Sequence, residues 1–249
     1  MKVSIIGVGA IGGTIAKQLI KAGHQVSVAN SGGKEAITPF AQEIGATAHG
    51  VETVMLGADV VILSVPPSAI EQFPKQLFEA LPKETIVVDT ANYYPEIRPE
   101  KITDIDKGKI ESIWMSEQIG RSVVKAFNSI LAFSLAELGK PKGSSNRLAI
   151  QVAGDDQKQK EVVMQLVDDC GFAPYDNGSL ANSWTQQPCS AGYCCDYNID
   201  ELREVKAKSS QTTESVTQNR KEMMNNFATL ADGDFSHKNT IKINRKYHI

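Results

Sequence analysis

The sequence has no apolar run that approaches the roughly 18 residues of a membrane-spanning helix. It also lacks the basic, apolar and small-residue segments of a secretory signal, because a strand-like segment follows Met1 directly. The formal net charge of −3 provides no basic surface for nucleic acid or for an anionic membrane. These absences predict a cytoplasmic protein that has neither nucleic-acid nor membrane partners.

Metal ligands and catalytic sets are also scarce. The chain has four cysteines, and three of them lie close together in the stretch CSAGYCC, with no histidine nearby. That stretch has no second pair of ligands at the spacing that zinc sites use. No combination of serine, histidine and aspartate indicates nucleophilic catalysis. We therefore expect no metal site, and we expect reduced thiols that serve local packing.

What the sequence does have is a regular alternation of strand-like and helix-like segments from its start to about Gly178. Apolar segments such as DVVIL and TIVV alternate with amphipathic ones, of which one predicts a helix over 68–82. This order is typical of parallel βαβ units. The sequence therefore predicts an α/β fold with a doubly wound, mostly parallel sheet, formed by residues 1–178.

Beyond Gly178 the composition becomes irregular and polar. We expect residues 179–249 to form a C-terminal extension of loops and short helices, with a linker or frayed helix over 206–219. A short helix that ends at Gly233 is expected next. The tail around Met223, Met224 and Phe227 fits two interpretations, which are contact with a second subunit in a homodimer and disorder.

Three glycines follow the first predicted strand, at Gly7, Gly9 and Gly12 in GVGAIGG, and a helix-like segment begins there. That context turns a weak pattern into the fingerprint of a dinucleotide-binding Rossmann unit. Gly7 would allow the tight turn, Gly9 would let the backbone approach a pyrophosphate, and Gly12 would let helix and strand pack closely. The helix N-terminus would supply N–H donors and partial positive charge to the phosphates. The alternative is a tight turn whose glycines serve packing alone.

The residues after the second predicted strand indicate which dinucleotide binds. NAD sites usually place a carboxylate there for the ribose 2′-hydroxyl, whereas this chain has Asn30, Ser31 and Lys34. An amide and a hydroxyl can donate hydrogen bonds to a 2′-phosphate, and a lysine adds a cation. The sequence therefore favours NADP as the cofactor. The alternative is that these residues form only a solvated turn.

The other strand ends should surround the nicotinamide, because ligands of open α/β sheets bind beyond the carboxyl ends of the strands. These ends are Ser64, Val65 and Pro66 after one strand, Ala91 and Asn92 after a second, and Lys125, Ala126, Phe127 and Asn128 after a third. Our hypothesis is that Lys125 or Asn128 orients the hydride acceptor or the nicotinamide amide. The alternatives are a turn-forming asparagine and an ion-paired or surface lysine.

Several stretches together resemble a known family. GVGAIGGTIAKQLIKAGHQVSVANS, VILSVP, VVDTANYY and above all SVVKAFNSI are similar to the NADP oxidoreductases that use the deazaflavin coenzyme F420. A similar domain forms the N-terminus of six-transmembrane metalloreductases. The resemblance is clear over about residues 1–180, fair to 205 and weak beyond.

The resemblance implies hydride transfer between NADPH and a flavin-like or deazaflavin ring. It implies pyrophosphate contacts from Gly7, Gly9, Ala10, Ile11 and Gly12, and 2′-phosphate contacts from Asn30, Ser31 and Lys34. It places the nicotinamide against Val65, Pro66, Ala91, Asn92, Ala126 and Phe127. Many relatives carry an arginine where this chain has Gly32, so the positive charge that binds NADP would come from Lys34.

Two other functions compete with this one. The first is an NADP-dependent imine or keto reductase of small substrates, which shares the glycine turn but normally adds a helical C-terminal domain. The second is a redox sensor that binds NADP(H) without turnover and that would need cysteine thiols of lowered pKa.

Overall fold

The computed structural model describes residues 1–98 and 100–247. Six parallel strands form its main sheet: β1 (Lys2–Ile6), β2 (Gln25–Ala29), β3 (Thr47–Ala48), β4 (Val60–Leu63), β5 (Ile86–Asp89) and β6 (Val124–Lys125). Their spatial order is β3-β2-β1-β4-β5-β6, with Ile5 of β1 beside Val28 and Ile62. The order reverses direction between β1 and β4, which is the arrangement of a doubly wound fold. The predicted fold class is confirmed.

Strand residues alternate between two buried clusters, one on each face of the sheet. Ile5 and Ile62 belong to one cluster, and their neighbours Ile6 and Leu63 belong to the other. Successive side chains of a strand point to opposite faces, so strands covered by helices on both sides need apolar residues at nearly every position. This explains why all four residues of β4, Val60–Leu63, are apolar.

Nine helices cover or connect these strands within the described residues, and they are α1 (Ala10–Lys21), α2 (Gly33–Ile44), α3 (Val51–Val54), α4 (Pro67–Ile70), α5 (Gln76–Glu79), α6 (Thr103–Asp106), α7 (Glu111–Ile119), α8 (Ala132–Glu137) and α9 (Gln157–Asp169). The single helix predicted over 68–82 is wrong, because the segment contains two short helices, α4 and α5. Pro74 lies between them and cannot donate the backbone hydrogen bond that a continuous helix needs.

Two further strands form a second, smaller sheet. β7 (Ala149–Val152) and β8 (Ala173–Asp176) pair in parallel. Lys125 of β6 and Ala153 exchange antiparallel backbone hydrogen bonds of 2.8 and 3.0 Å. The looser strand and helix pattern predicted up to Gly178 is therefore present, and one antiparallel bridge links this smaller sheet to the main sheet.

The C-terminal region is more helical than predicted. A 3-10 helix (Leu180–Gln186) precedes α10 (Ile199–Lys208), α11 (Thr213–Ala231) and α12 (His237–Lys246). Of the two structures expected over 206–219, a linker and a frayed helix, the helix is present, because α10 and α11 occupy most of this segment. Both helices begin at capping boxes, which pair Asn198 with Glu201 and Thr212 with Ser215. The domain boundary after Gly178 stays a prediction.

The tail residues singled out for a subunit contact pack within this chain. Met223 is buried beside Cys189, with 3.6 Å between the two sulfur atoms, and Met224 and Phe227 pack partly buried against the same cluster. The helix that carries them, α11, ends at Ala231 with Asp232 as its C-cap residue, directly before the predicted end at Gly233. The homodimer stays a prediction. Over residues 1–98 and 100–247, no helix combines the length and the apolar character needed to cross a bilayer.

Candidate active site

The turn between β1 and α1 requires two of its glycines for its own geometry and leaves the third open to a ligand. Gly7 has a φ of +92°, and a Cβ there would collide with the backbone of Ser64. A Cβ at Gly12 would collide with the carbonyl oxygen of Gly7. A Cβ at Gly9, by contrast, would meet no atom of the described residues within 4 Å. The space beside Gly9 is therefore accessible to a group from outside the chain.

The N-terminus of α1 faces this space with its charge uncompensated. Gly9 is the N-cap residue, no side chain of the described residues caps the helix, and its first turn contains no acidic residue. The first N–H groups of a helix have no partner within the helix and carry a partial positive charge. The turn can therefore bind an anionic group such as a diphosphate.

A cleft of about 310 Å³ begins at this turn and runs across the carboxyl ends of β4 and β5. Eight of the predicted cofactor residues line it: Gly9, Ala10, Ile11, Ser64, Val65, Pro66, Ala91 and Asn92. Thr90, which belongs to a predicted strand end, completes the lining together with Tyr94 and Arg98, which the sequence did not single out. The position of Thr90 after a predicted strand was a usable signal, whereas Tyr94 and Arg98 reach the cleft only through the fold of the following loop.

Asn30, Ser31 and Lys34 lie at the carboxyl end of β2, beside the glycine turn and outside the lining of the cleft. The Asn30 Oδ1 atom accepts a hydrogen bond of 2.9 Å from the Gly32 N–H, so this side chain also shapes the turn. Ser31 and Lys34 are exposed, and Lys34 lies in the first turn of α2. The amide nitrogen of Asn30, the hydroxyl and the ammonium can all serve as donors to an anion.

Lys125 lies beneath the cleft in a buried ion pair. Its side chain has no exposed surface, and its Nζ donates to Asp89 Oδ2 at 3.0 Å and to the Ala91 carbonyl at 2.5 Å. The same aspartate accepts from the Ser112 hydroxyl at 2.8 Å and from the Ala91 N–H at 2.8 Å. Lys125 is therefore hydrogen-bonded directly to the Ala91 backbone, which lines the cleft.

Asn128 holds a second part of the cleft wall. Its Nδ2 donates to Asn92 Oδ1 at 3.0 Å, and its backbone carbonyl oxygen accepts from Asn92 Nδ2 at 2.9 Å. Gln186, which is completely buried, contacts Asn128 twice. Its Nε2 donates to Asn128 Oδ1 at 2.9 Å, and its backbone carbonyl accepts from Asn128 Nδ2 at 2.7 Å. The sequence missed Gln186, since it lies in a stretch that was interpreted as irregular.

Ala126 and Phe127 belong to the buried core and have no exposed surface. Phe127 adopts a φ of +59°, which is rare for a bulky residue. Such a backbone is held in place only where the surroundings determine it, and it is common next to functional sites. The structure therefore places these two residues under the cleft and not in its lining.

Glu111 is a buried carboxyl group close to this network. Its Oε2 accepts from the Tyr93 N–H at 3.2 Å, and its Oε1 has no hydrogen-bond partner among the described residues. Burial raises the pKa of Glu111 to about 7, and the positive charges of Lys125 and Arg220 oppose that rise. At neutral pH this carboxyl is therefore divided between its protonated and ionised forms.

The four cysteines do not have the environment of redox-active thiols. All four are buried, and burial raises the pKa of each thiol, to about 12 for Cys189. Reactive cysteines need a lowered pKa, so the condition that the redox-sensor interpretation requires is not met. In the part of the chain that the structure describes, no group of three histidine, cysteine or acidic side chains is arranged to hold a metal ion.

Comparison with known proteins gives one matching family and two similar solved structures of comparable coverage. Residues 2–93 match the family described as NADP oxidoreductase, coenzyme F420-dependent. The hypothetical protein SMa0349 of Sinorhizobium meliloti is 30% identical, and the match covers 74% of this chain and 87% of that one, with a TM-score of 0.60. A structure provisionally assigned as an F420-dependent NADP reductase of Arthrobacter sp. FB24 covers the same shares at 21% identity, with a TM-score of 0.59.

Two other likenesses are more limited. YjhV of Escherichia coli (strain K12) is 54% identical over 57 residues, which are 23% of this chain and 42% of YjhV, so the match spans less than half of that curated relative. An imine reductase of Aspergillus terreus, solved with NADPH4 and dibenz[c,e]azepine, is 14% identical. The match covers 99% of this chain and 72% of the imine reductase chain, with a TM-score of 0.52. At this identity the likeness extends to the fold alone.

Proposed function

Because this chain belongs to the family of coenzyme F420-dependent NADP oxidoreductases, we propose that it is an enzyme that transfers a hydride between NADP(H) and a flavin-like or deazaflavin ring. One observation carries the proposal. The uncapped N-terminus of α1 opens into a cleft lined by the carboxyl ends of parallel strands. Ligands of open α/β sheets bind at such ends, where the strand order reverses.

The residues present fit a dinucleotide. The diphosphate would lie in the open space beside Gly9, held by the backbone of the turn that also includes Gly7, Ala10, Ile11 and Gly12. The nicotinamide would face Ser64, Val65, Pro66, Ala91 and Asn92, which line the rest of the cleft. When bound, the nicotinamide supplies the hydride chemistry itself, and the protein supplies binding, orientation and electrostatics.

In this proposal Lys125 and Asn128 are positioning residues. Lys125 fixes the Ala91 carbonyl and Asn128 fixes the Asn92 amide, so both hold the wall on which the two reacting rings must stack. Productive hydride transfer needs the reacting atoms about 3–3.5 Å apart and aligned, and a rigid wall meets that need. Ala126 and Phe127 support this wall from beneath. Among the described residues that line the cleft, Arg98 is the one with a charged side chain, and it would face a negatively charged part of the cofactor or acceptor.

The choice of NADP over NAD would rest on Asn30, Ser31 and Lys34. In Asn30→Asp the carboxylate can still accept the hydrogen bond from the Gly32 N–H, so the turn should persist. The new charge would repel a 2′-phosphate, and the amide donor would be lost. A hydrogen bond to a charged group contributes about 1.5–3 kcal/mol, so we expect the Kd of NADPH to rise roughly 10- to 100-fold. The Kd of NADH should stay the same or fall.

Titration calorimetry of the wild-type protein, Asn30→Asp and Lys34→Gln with both cofactors tests this choice. Lys34→Gln removes a cation without adding an acid and should weaken NADPH alone, by a smaller factor. An unchanged preference between NADPH and NADH in both variants would contradict the assignment. Failure of the wild-type protein to bind either dinucleotide would refute the proposed function as a whole.

The acceptor is tested separately by stopped-flow oxidation of NADPH with coenzyme F420, FMN, FAD and a cyclic imine. We expect turnover with at least one flavin or deazaflavin. Turnover with the imine and with none of the flavins would instead assign an imine reductase, the alternative that the helical C-terminal region keeps open.

A further inference from the structure

A second pocket contains a lysine that the proposed hydride transfer does not use. It has a volume of about 200 Å³, and Trp184, Thr185, Ala191, Lys206, Ser209 and Gln211 line it. None of these residues lines the cleft beside Gly9. Lys206 projects from α10, and Trp184 and Thr185 belong to the 3-10 helix. We call this space the Lys206 pocket.

The Lys206 ammonium contacts only neutral oxygen atoms among the described residues. Its Nζ donates to Gln151 Oε1 at 2.8 Å, to Thr185 Oγ1 at 2.7 Å and to the Thr185 carbonyl at 3.3 Å. The ring of Tyr175 lies 5.8 Å away. Gln151, Tyr175 and Thr185 face the amine from β7, β8 and the 3-10 helix, and none of them is a carboxylate. Burial without a counter-charge lowers the pKa of Lys206 to about 7.

Lys208 on the same helix shows the ordinary arrangement. It is exposed, and its Nζ pairs with Glu204 at 2.5 Å. Lys208 is therefore in contact with solvent and has an acidic partner. Lys206 therefore differs from a nearby lysine in the two properties that make an amine nucleophilic, namely desolvation and the lack of an acidic partner.

We propose that the Lys206 pocket captures small, uncharged aldehydes or ketones as an imine on Lys206. The Nζ lone pair attacks the carbonyl carbon, so that a C–N bond forms as the C=O π bond breaks, and a proton moves from Nζ to the carbonyl oxygen to give a neutral carbinolamine. Loss of water then forms the C=N bond, so the step is a condensation without net oxidation or reduction. The Thr185 hydroxyl, 2.7 Å from Nζ, is placed to relay the proton.

The lining also restricts the class of ligand. Within residues 1–98 and 100–247, Lys206 is the one charged side chain of the lining, and no second cation lines the pocket to pair with the carboxylate of a keto acid. Trp184 and Ala191 contribute apolar surface for an alkyl or aryl group. A volume of about 200 Å³ admits a small compound and excludes a dinucleotide or a flavin.

The test uses the full chain with propanal as the probe and cyanoborohydride to trap the imine. Peptide mass spectrometry then compares the modification of Lys206 and Lys208 in the same molecules at pH 7. We expect Lys206 to be modified at least tenfold faster, with a rate that saturates as the propanal concentration rises. Equal rates at the two lysines, or a rate at Lys206 that rises linearly without saturation, would overturn the proposal.

Lys206→Arg and Lys208→Arg serve as the matched pair of variants. Both keep the positive charge. We expect Lys206→Arg to abolish the saturable modification and to leave the Kd of NADPH unchanged, whereas Lys208→Arg should retain the saturable modification. Because the first comparison is made within the wild-type protein, it stays decisive even if Lys206→Arg folds poorly. NADPH binding is measured separately, so failure of the capture site and failure of the proposed hydride transfer are distinguishable.

Discussion

At the scale of single residues, the glycine turn separates the requirements of folding from those of binding. A methyl group at Gly9 would meet open space, whereas one at Gly12 would collide with the Gly7 carbonyl. We expect Gly9→Ala to keep the wild-type Tm and to raise the Kd of NADPH at least tenfold, because the methyl group would occupy the place of the diphosphate. Thermal unfolding and calorimetry measure the two effects.

Gly12→Ala is the control for that prediction. Its Cβ has no room between α1 and the strand-end turns, so overpacking should destabilise the protein by about 1–3 kcal/mol and lower the Tm. If Gly9→Ala bound NADPH as the wild-type protein does, the diphosphate would not lie beside that residue.

At the scale of secondary-structure elements, Arg121 joins the end of α5 to the start of β5. Its guanidinium donates to the carbonyl oxygens of Phe78, Leu81, Pro82 and Thr85 at 2.8–3.1 Å, and to that of Lys83 at 3.4 Å. Of these carbonyls, that of Phe78 belongs to α5, and the other four lie in the connection between α5 and β5. One side chain therefore supplies donors to carbonyl oxygens along this whole connection. The fork of five donors suits this task in a way that a lysine ammonium does not.

We expect Arg121→Met to lower the free energy of unfolding by about 2–4 kcal/mol, because several carbonyl oxygens would lose their donor. Arg121→Lys should recover only part of that loss. Urea unfolding measures both. Lys83→Met, at a neighbouring exposed position, is the control and should leave the midpoint unchanged. A loss below about 0.5 kcal/mol in Arg121→Met would show that water replaces the guanidinium.

At the scale of the whole molecule, Glu111 lies where the sheet, α7 and the C-terminal region meet. It accepts from the Tyr93 N–H, its own N–H donates to the Gln187 side chain, and Arg220 of α11 packs over the Tyr93 ring. Arg220 also forms a buried ion pair with Glu96. We therefore expect the ionisation of Glu111 to change the free energy of unfolding of the whole protein.

We expect stability to fall between about pH 4.5 and pH 7. The pKa of Glu111 is near its usual 4.5 in the unfolded chain and about 7 in the folded protein. Between these values the folded state binds more protons, so raising the pH disfavours it, by an upper limit of about 3 kcal/mol. Glu111→Gln, which can still accept from Tyr93, should remove this loss.

Urea unfolding of the wild-type protein and Glu111→Gln at pH 5 and pH 8 measures the effect. The gain from the substitution should be larger at pH 8. An equal gain at both values would mean that Glu111 titrates in the folded protein as it does in the unfolded chain. Other titrating groups are common to both proteins and cancel in the comparison.

The main sheet and the glycine turn could be predicted from the sequence because their signals are local. Strand periodicity, the spacing of Gly7, Gly9 and Gly12, and the missing acid at Asn30 are all read from adjacent residues. The C-terminal helices were predicted only as short or frayed, although their capping boxes, Asn198 with Glu201 and Thr212 with Ser215, are also local. Their polar composition gave too little apolar periodicity to predict their full length.

The sequence alone determined the doubly wound fold, the candidate cofactor turn and the resemblance to a family of NADP oxidoreductases. Only the tertiary structure decided which polar residues face the cleft and which support it. Lys125 and Asn128 follow a strand end as Asn92 does, yet the first two are buried against Asp89 and Gln186. The physical reason is that burial and hydrogen-bond partners depend on residues distant in the chain. The same reason explains Lys206, whose isolation from carboxylates arises only when α10 packs against β7, β8 and the 3-10 helix.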